Sequence, residues 1–238
     1  MIIDKPYVLA GIKKITPLVT SFSFKAQDGS GVDFVPGMFA MLKYKNGITQ
    51  ETIARAFSMA NVPSGEYMEF LISLIHGKFT SKLETAKAGD VYYISAPYGQ
   101  FKFDTEHNDE KLLFLAGGTG IAPFLSMLRF IKKNGTKADC VMIYSVKYGN
   151  EIICKEELED MENSIGIKFS VTVTRPAEGD GWTGETGHIN AEMIKKYAPD
   201  FSTRTCYICG PPAFVTALKT DLQSLNVASK QIKAEMWG

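Results

Sequence analysis

Several features that would define a functional class are scarce or missing in this sequence. Lys plus Arg number 26 and Asp plus Glu number 26, so the formal net charge is zero, without the basic excess typical of nucleic-acid-binding proteins. The apolar runs fall short of the ~18–20 residues that a transmembrane helix needs. The N-terminal stretch MIIDKPYVLAGIKK lacks the basic region, apolar core and cleavage site of a secretory signal. We therefore expect no nucleic-acid partner, no membrane span and a cytoplasmic location.

Cysteine is also rare. Cys140, Cys154, Cys206 and Cys209 are the four cysteines among 238 residues, too few for a disulfide framework in a chain of this length. Cys206 and Cys209 form a Cys-x-x-Cys, but they lie in a strand-like run whose alternation points the two side chains to opposite faces. We expect unpaired thiols, with a thiol–disulfide pair as the alternative. Without a second cysteine pair, no zinc or iron–sulfur site is expected.

The two halves of the chain differ in hydrophobic pattern. Up to about residue 100, short alternating runs such as DVYYISAP are separated by Gly, Pro, Asn and Asp, which indicates an antiparallel barrel. Residues 102–111, KFDTEHNDEK, are polar and charged and look like a connector. We predict domains at 1–105 and 106–238.

The second half alternates apolar strands with helical segments. KLLFLAGG, CVMIYSV and TCYICG are continuous apolar runs, as expected of parallel strands buried on both faces. Helical periodicity follows each of them, which gives a βα series. The predicted fold is therefore α+β with two domains: an antiparallel β-barrel followed by a doubly wound α/β parallel sheet.

The first candidate site is the glycine-rich turn between a buried strand and a helix. Gly117, Gly118, Thr119 and Gly120 follow LLFLA directly, and Pro123 lies in the first helical turn. Glycines let a backbone approach a pyrophosphate, and a helix N-terminus offers unpaired N–H groups. No Gly-Lys-Ser/Thr follows, so this is not a Walker loop. Alone, the turn has a structural explanation that is as good as a functional one.

Three further motifs accompany that turn. RAFS at 55–58, GKFT at 77–80 and CGPP at 209–212 occur together with GGTGIAP, and in this order they resemble the ferredoxin–NAD(P) reductase superfamily. The resemblance covers essentially the whole chain. It implies a flavin-binding barrel that holds FAD, an NAD(P)-binding α/β domain, and NADH or NADPH as the co-substrate.

RAFS matches the family's Arg-x-Tyr/Phe-Ser flavin motif through Arg55, Ala56, Phe57 and Ser58. Strand alternation puts Arg55 and Phe57 on one face and Ser58 on the other. A planar guanidinium suits a pyrophosphate. The resemblance implies that Phe57 lies along the ribityl–ring region of the flavin and that the Ser58 hydroxyl lies near flavin N5. The alternative is a surface arginine beside a core phenylalanine.

GKFT resembles the family's Gly-x-x-Ser/Thr phosphate turn. Gly77, Lys78, Phe79 and Thr80 form it, and His76 precedes it. Thr80 opens a predicted helix, TSKLETAK, and is expected to be its N-cap. The turn implies tightly held FAD. His76 either assists the pyrophosphate or simply ends the strand.

CGPP and the C-terminal KAEMWG supply the remaining candidates. The resemblance places Cys209, Gly210 and Pro211 beside the nicotinamide, with a neutral Cys209 thiol that orients the ring. Glu235 and Trp237 fit the family's terminal Glu-x-aromatic spacing, in which the aromatic ring covers the flavin and the glutamate relays a proton or holds Ser58. A capped apolar patch and an exposed terminal glutamate are the alternatives.

Charge decides between NADH and NADPH. Lys147 and Arg175 lie where the resemblance implies cations for a 2′-phosphate, whereas Glu185 replaces a third cation and would repel it. Both co-substrates stay open, with a slight preference for NADH.

Three functions are compatible with these motifs. We expect an FAD-dependent reductase serving a separate ferredoxin- or flavodoxin-like carrier, because no cysteine-rich cluster segment is attached. The alternatives are a flavin reductase that releases reduced free flavin, and an electron-transfer subunit of a larger redox complex.

Overall fold

The computed structural model describes residues 1–63, 67–103, 111–177, 179 and 181–237. Contacts divide the chain into two compact units, which are Met1–Phe103 with Leu125–Phe130, and the rest of the chain. The predicted domain boundary at 105/106, and most of the predicted connector, fall outside the described residues.

The first unit is built on a six-stranded antiparallel sheet. Its strands, in chain order, are β1 (Ile3–Lys14), β2 (Val19–Ala26), β3 (Phe39–Lys45), β4 (Thr52–Ser58), β5 (Met68–Ser73) and β6 (Val91–Tyr98). They hydrogen-bond in the order β4-β3-β6-β1-β2-β5. The sheet curls so that its edge strands approach each other, and the rings of Phe57 and Phe70 lie 6.3 Å apart. This half-barrel bears out the predicted antiparallel fold.

Alternating side chains fill the inside of this barrel. Tyr7 of β1 is paired with Tyr92 of β6, and Phe22 of β2 with Phe70 of β5, and all four rings are buried. A short helix, α1 (Thr80–Glu84), buries Leu83 against this core. The predicted helix TSKLETAK is therefore shorter than expected, since it ends at Glu84.

The second unit is a parallel sheet with helices. The strands are β7 (Lys111–Gly117), β8 (Asp139–Val146), β9 (Lys168–Val173), β10 (Glu185–Thr186), β11 (Thr205–Gly210) and β12 (Ile232–Met236). The helices that follow its strands are α2 (Ala122–Asn134), of which Leu125–Phe130 belong to the first unit, α3 (Lys155–Ile165), α4 (Ala191–Tyr197) and α5 (Pro212–Ser224). The predicted βα series is confirmed, whereas β10 and β12 were not anticipated.

Strand order fixes where this unit can bind a ligand. The order is β10-β9-β8-β7-β11-β12, so the chain builds outward from β7 in one direction and then restarts at β11 on the other side. Ligands of open parallel sheets bind at the carboxyl ends of the strands, where the order reverses. Here that point lies between β7 and β11, which end at Gly117 and Gly210.

Among the described residues, no helix is both long and apolar enough to cross a membrane.

Candidate functional site

The RAFS motif lies on β4, an edge strand of the barrel. Phe57 is half-buried, and its ring packs 5.7 Å from the ring of Phe79 and 6.3 Å from that of Phe70. Arg55 and Ala56 are exposed, and Ser58 is half-buried at the end of the strand. Among the described residues the Arg55 guanidinium has no ion-pair or hydrogen-bond partner. An arginine that the protein leaves unpaired is available to an anion.

The GKFT turn follows β5 and leads into α1. The Thr80 hydroxyl accepts a hydrogen bond from the Gly77 N–H at 2.8 Å. The helix begins at Thr80 with Phe79 as its N-cap, so the expectation that Thr80 is the N-cap is wrong. Because Thr80 is already helical, its hydroxyl reaches back to the turn and not forward to the second or third helical N–H.

This arrangement decides which groups of the turn can hold an anion. The backbone N–H groups of Lys78 and Phe79 have no hydrogen-bond partner among the described residues. The Lys78 ammonium forms an ion pair with Glu51 at 2.9 Å. His76, whose backbone φ is 54°, places its ring Nδ1 3.0 Å from the Glu84 carboxylate. The backbone N–H groups of Lys78 and Phe79 are therefore the donors available to an anion, because the side chains of Lys78 and His76 already contact carboxylates.

The strand that carries Arg55 contacts this turn. The Phe57–Phe79 ring contact joins the motif strand to the turn. Tyr44, on the strand paired with β4, donates its hydroxyl to the Lys78 carbonyl at 3.1 Å. A guanidinium and two backbone N–H groups are a donor set that fits the pyrophosphate of FAD.

In the second unit the glycine-rich turn is held by packing. β7 ends at Gly117, residues 118–121 form a 3₁₀ turn, and α2 begins at Ala122 with Pro123 in its first turn. A Cβ on Gly120 would lie 2.2 Å from the Cys209 carbonyl oxygen. One on Gly210 would lie 2.7 Å from the Phe214 ring. These two glycines let β7, β11 and α5 approach closely at the reversal of the strand order.

The same turn suits a dinucleotide pyrophosphate. Gly118 has φ +54°, and no atom lies within 4 Å of where its Cβ would be. The first N–H groups of a helical turn lack intrahelical acceptors. Gly118 and Thr119 are half-buried at the carboxyl edge of the sheet, whereas Gly120 is buried, so the N–H groups of the first two are the donors that fit a phosphate.

The C-terminal segment is a strand, which the sequence did not indicate. β12 runs parallel to β11, with Glu235 in register with Cys209. The Trp237 N–H donates to the Gly210 carbonyl at 3.3 Å, and the Trp237 side chain is exposed. Pro211 follows β11 and immediately precedes α5. The ladder thus brings Glu235 and Trp237 to the CGPP turn.

Cys209 itself is fully buried. Burial raises the pKa of its thiol well above the usual value, and the nearby Glu235 carboxylate adds to this rise. Cys209 is a neutral thiol at physiological pH. None of the four cysteines is in a disulfide bond.

The charged residues at the carboxyl edge bear on the choice between NADH and NADPH. Arg175, after β9, donates its N–H to the Lys147 carbonyl, after β8, at 2.9 Å, and both side chains are exposed. Glu185 forms an ion pair with Lys196 and accepts a hydrogen bond from the Tyr197 hydroxyl at 2.7 Å. The Lys196 hydrogen bond, then that of Tyr197, lowers the Glu185 pKa. Lys196 and Tyr197 therefore engage Glu185, which offsets part of the negative charge that would repel a 2′-phosphate.

Two aromatic residues of the second unit were not among the site residues predicted from the sequence. Tyr144 on β8 is fully buried and donates its hydroxyl to the Gly118 carbonyl at 3.0 Å. Trp182 faces Gly149 and Gly184, and its indole N–H donates to the Glu185 carbonyl at 2.8 Å. A tyrosine in the buried run CVMIYSV was the available signal, because a buried hydroxyl needs a partner.

Two family models match the chain. The oxidoreductase FAD-binding domain matches residues 6–117, and the oxidoreductase NAD-binding domain matches residues 114–220.

Individual proteins give the same picture. The glycine betaine monooxygenase reductase subunit of Pseudomonas aeruginosa is 30% identical over 92% of this chain and 60% of its own length. The FAD/NAD-binding domain of nitric oxide dioxygenase from Vibrio cholerae has a TM-score of 0.87 at 19% identity, covering 98% of each chain. A ferredoxin NADP⁺ reductase from Neisseria gonorrhoeae, solved with FAD and NADP, has a TM-score of 0.82 at 23% identity, covering 98% of this chain and 98% of that one. The chain spans about 60% of the length of the curated relatives it matches.

Proposed function

Because this chain belongs to the ferredoxin–NAD(P) reductase superfamily, we propose that it moves electrons from NADH or NADPH through FAD to a carrier protein such as a ferredoxin or flavodoxin. It is an FAD- and NAD(P)-binding oxidoreductase, and the carrier is our proposal. The observation that carries it is a set of donors without partners among the described residues, namely the Arg55 guanidinium and the N–H groups of Lys78 and Phe79, on a strand and a turn that contact each other within the segment that matches the FAD-binding family.

In this proposal the segment 1–105 holds FAD. Arg55 and the N–H groups of Lys78 and Phe79 bind the pyrophosphate, and the half-buried Phe57 ring supplies an apolar surface. The Ser58 hydroxyl would lie near the edge of the flavin that accepts the hydride. Gly77 and Thr80 keep the turn in shape through their mutual hydrogen bond. The His76 and Lys78 side chains, already paired with carboxylates, support the turn and do not touch phosphate.

Residues 106–238 would bind the dinucleotide. The Gly117–Gly120 turn receives the pyrophosphate, and Lys147 and Arg175 lie at the carboxyl edge for a 2′-phosphate. Since Lys196 and Tyr197 engage Glu185, the charge that favoured NADH is partly offset, and both co-substrates are to be tested. Cys209, Gly210 and Pro211 would border the nicotinamide, with Glu235 and Trp237 beside them.

FAD, when bound, supplies the chemistry of accepting a hydride and releasing electrons singly or in pairs. The residues of the chain bind and orient. A neutral, buried Cys209 thiol contributes packing and polarizability, not a charge. The Glu235 carboxylate, in register with Cys209, is the group placed to hold or move a proton at this turn.

A second candidate function has its own support. The Pseudomonas relative is named as the reductase subunit of a monooxygenase, which favours a role as the electron-transfer component of a larger oxygenase system. A flavin reductase would release its flavin, whereas the Arg55 and GKFT donors favour retention.

The test is anaerobic stopped-flow reduction of the FAD-reconstituted protein by NADH and by NADPH, followed by mixing with acceptors. A ferredoxin, a flavodoxin, an oxygenase component and free FMN form the panel. Rapid bleaching of the flavin and turnover with ferredoxin or flavodoxin are expected. Failure to bind FAD would refute the proposal, and turnover only with free FMN would replace it with flavin reduction. Turnover only with the oxygenase component would favour the second candidate.

A further inference from the structure

Tyr144 connects the glycine-rich turn to the interior of the parallel sheet. It lies on β8, is fully buried, and donates its hydroxyl to the Gly118 carbonyl at 3.0 Å. The phenol group thus bridges β8 and the glycine-rich turn, which lie 26 residues apart in the sequence.

The bridge fixes the orientation of one peptide group. In a trans peptide the carbonyl of one residue and the N–H of the next point in opposite directions. Because the Gly118 carbonyl points inward to Tyr144, the Thr119 N–H points away from it. That N–H belongs to the first turn of the 3₁₀ segment, where no intrahelical acceptor exists.

Gly118 opens the 3₁₀ turn, whose own i→i+3 hydrogen bonds also hold its carbonyl, and Tyr144 is the side chain among the described residues that bonds to that carbonyl. Gly118 has φ +54°, and the space where its Cβ would be is open. Gly120, two residues later, is instead packed against the Cys209 backbone. Because glycine is conformationally permissive, the Tyr144 hydrogen bond adds a tertiary restraint that favours this orientation of the peptide.

We propose that Tyr144 is a positioning residue for the dinucleotide: its hydroxyl holds the Gly118–Thr119 peptide so that the Thr119 N–H faces the pyrophosphate. This inference rests on the proposed function, which places the pyrophosphate at the Gly117–Gly120 turn.

The matched pair of variants is Tyr144→Phe and Tyr207→Phe. Tyr207, on β11, is also fully buried, and its hydroxyl accepts a hydrogen bond from the Lys233 ammonium at 2.8 Å, away from the glycine turn. Both substitutions remove one buried hydroxyl from the same sheet. Calorimetry then measures the Kd of ADP-ribose, which carries the pyrophosphate, and of AMP, which does not.

We expect Tyr144→Phe to raise the Kd of ADP-ribose about tenfold, which corresponds to ~1.4 kcal/mol, and to leave the Kd of AMP within about twofold. Tyr207→Phe should leave both constants within about twofold. In steady state Tyr144→Phe should raise KM for NADH or NADPH with little change in kcat, at unchanged flavin content. Hydrogen exchange of the peptide spanning 113–124 should quicken in Tyr144→Phe alone.

An unchanged ADP-ribose Kd in Tyr144→Phe, or an equal rise in both variants, would overturn the role of Tyr144 while the proposed function stands. If the unsubstituted protein does not bind ADP-ribose, the dinucleotide site itself is wrong and both proposals fall.

Discussion

The two turns proposed to hold phosphates are stabilised in different ways. The 77–80 turn of the barrel is closed by its own side chain, since the Thr80 hydroxyl bonds to the Gly77 N–H three residues earlier. The 117–120 turn of the parallel sheet depends on distant residues: Gly120 packs on the Cys209 carbonyl, and Gly118 is held by Tyr144. The first is a local structure and the second is a tertiary one.

This difference separates two roles of glycine. Gly77 has only the Thr80 hydroxyl near its hypothetical Cβ, at 3.4 Å, whereas a Cβ on Gly120 would overlap backbone atoms. Gly77 and Gly120 each belong to a motif that the family uses for binding phosphate. At Gly120, close packing against the Cys209 backbone is by itself enough to require a glycine.

Substituting Gly120 is therefore expected to have the largest effect. Gly120→Ala would place a methyl group 2.2 Å from the Cys209 oxygen, and β7 and β11 would have to separate. We expect a loss of about 3 kcal/mol or more in the free energy of unfolding, measured by urea denaturation. Gly77→Ala is the matched control and should lose less than ~1 kcal/mol. Equal losses would contradict the distinction between the two turns.

Arg55 tests the donor set beside the local turn. Arg55→Ala removes an exposed guanidinium with no partner among the described residues, so the fold should be unaffected. FAD retention should weaken by about 30-fold, or ~2 kcal/mol, as expected for a charge-assisted hydrogen bond to phosphate. Fluorescence titration of the apoprotein with FAD measures this. Lys25→Ala, another exposed cation of the same unit, is the control, and full FAD affinity in Arg55→Ala would remove Arg55 from the site.

Thr80 tests how the local turn is closed. Thr80→Val keeps the shape of a buried side chain but leaves the Gly77 N–H without its acceptor. We expect a loss of ~1 kcal/mol in the free energy of unfolding and a smaller loss in FAD affinity than in Arg55→Ala. Thr80→Ser should restore most of the stability. If Thr80→Val and Thr80→Ser were equally stable, the hydroxyl would have no role in the turn.

What the sequence could predict follows the same division between local and tertiary structure. The β4 and β11 runs and the glycine turn were recognisable because strand alternation, burial and turn residues are written within a few positions. Strand β12 was not, since five residues of mixed polarity, Ile232–Met236, form a strand only because β11 offers a free edge. The ion pair of Glu185 with Lys196 was also out of reach, because the two residues meet only when β10 and α4 pack.

The smallest expected effect concerns Cys209, whose carbonyl packs against Gly120. Burial and, secondly, the Glu235 carboxylate raise the pKa of the Cys209 thiol well above its usual value of 9. The folded thiol therefore stays neutral at a pH where the thiol of the unfolded chain ionises. The stability that this difference contributes is fully present below pH 9 and is lost as the pH rises above it.

Cys209→Ser should therefore lose less stability than the unsubstituted protein between pH 8 and pH 10, as measured by the urea midpoint at each pH. Because the buried thiols of Cys140 and Cys206 also have raised pKa values, to about 12, only part of the alkaline loss should disappear. Iodoacetamide at pH 8 should label Cys209 in urea but not in the folded protein. Labelling of the folded protein at Cys209 would mean that the tertiary turn opens, and would remove the packing on which the contrast between the two turns depends.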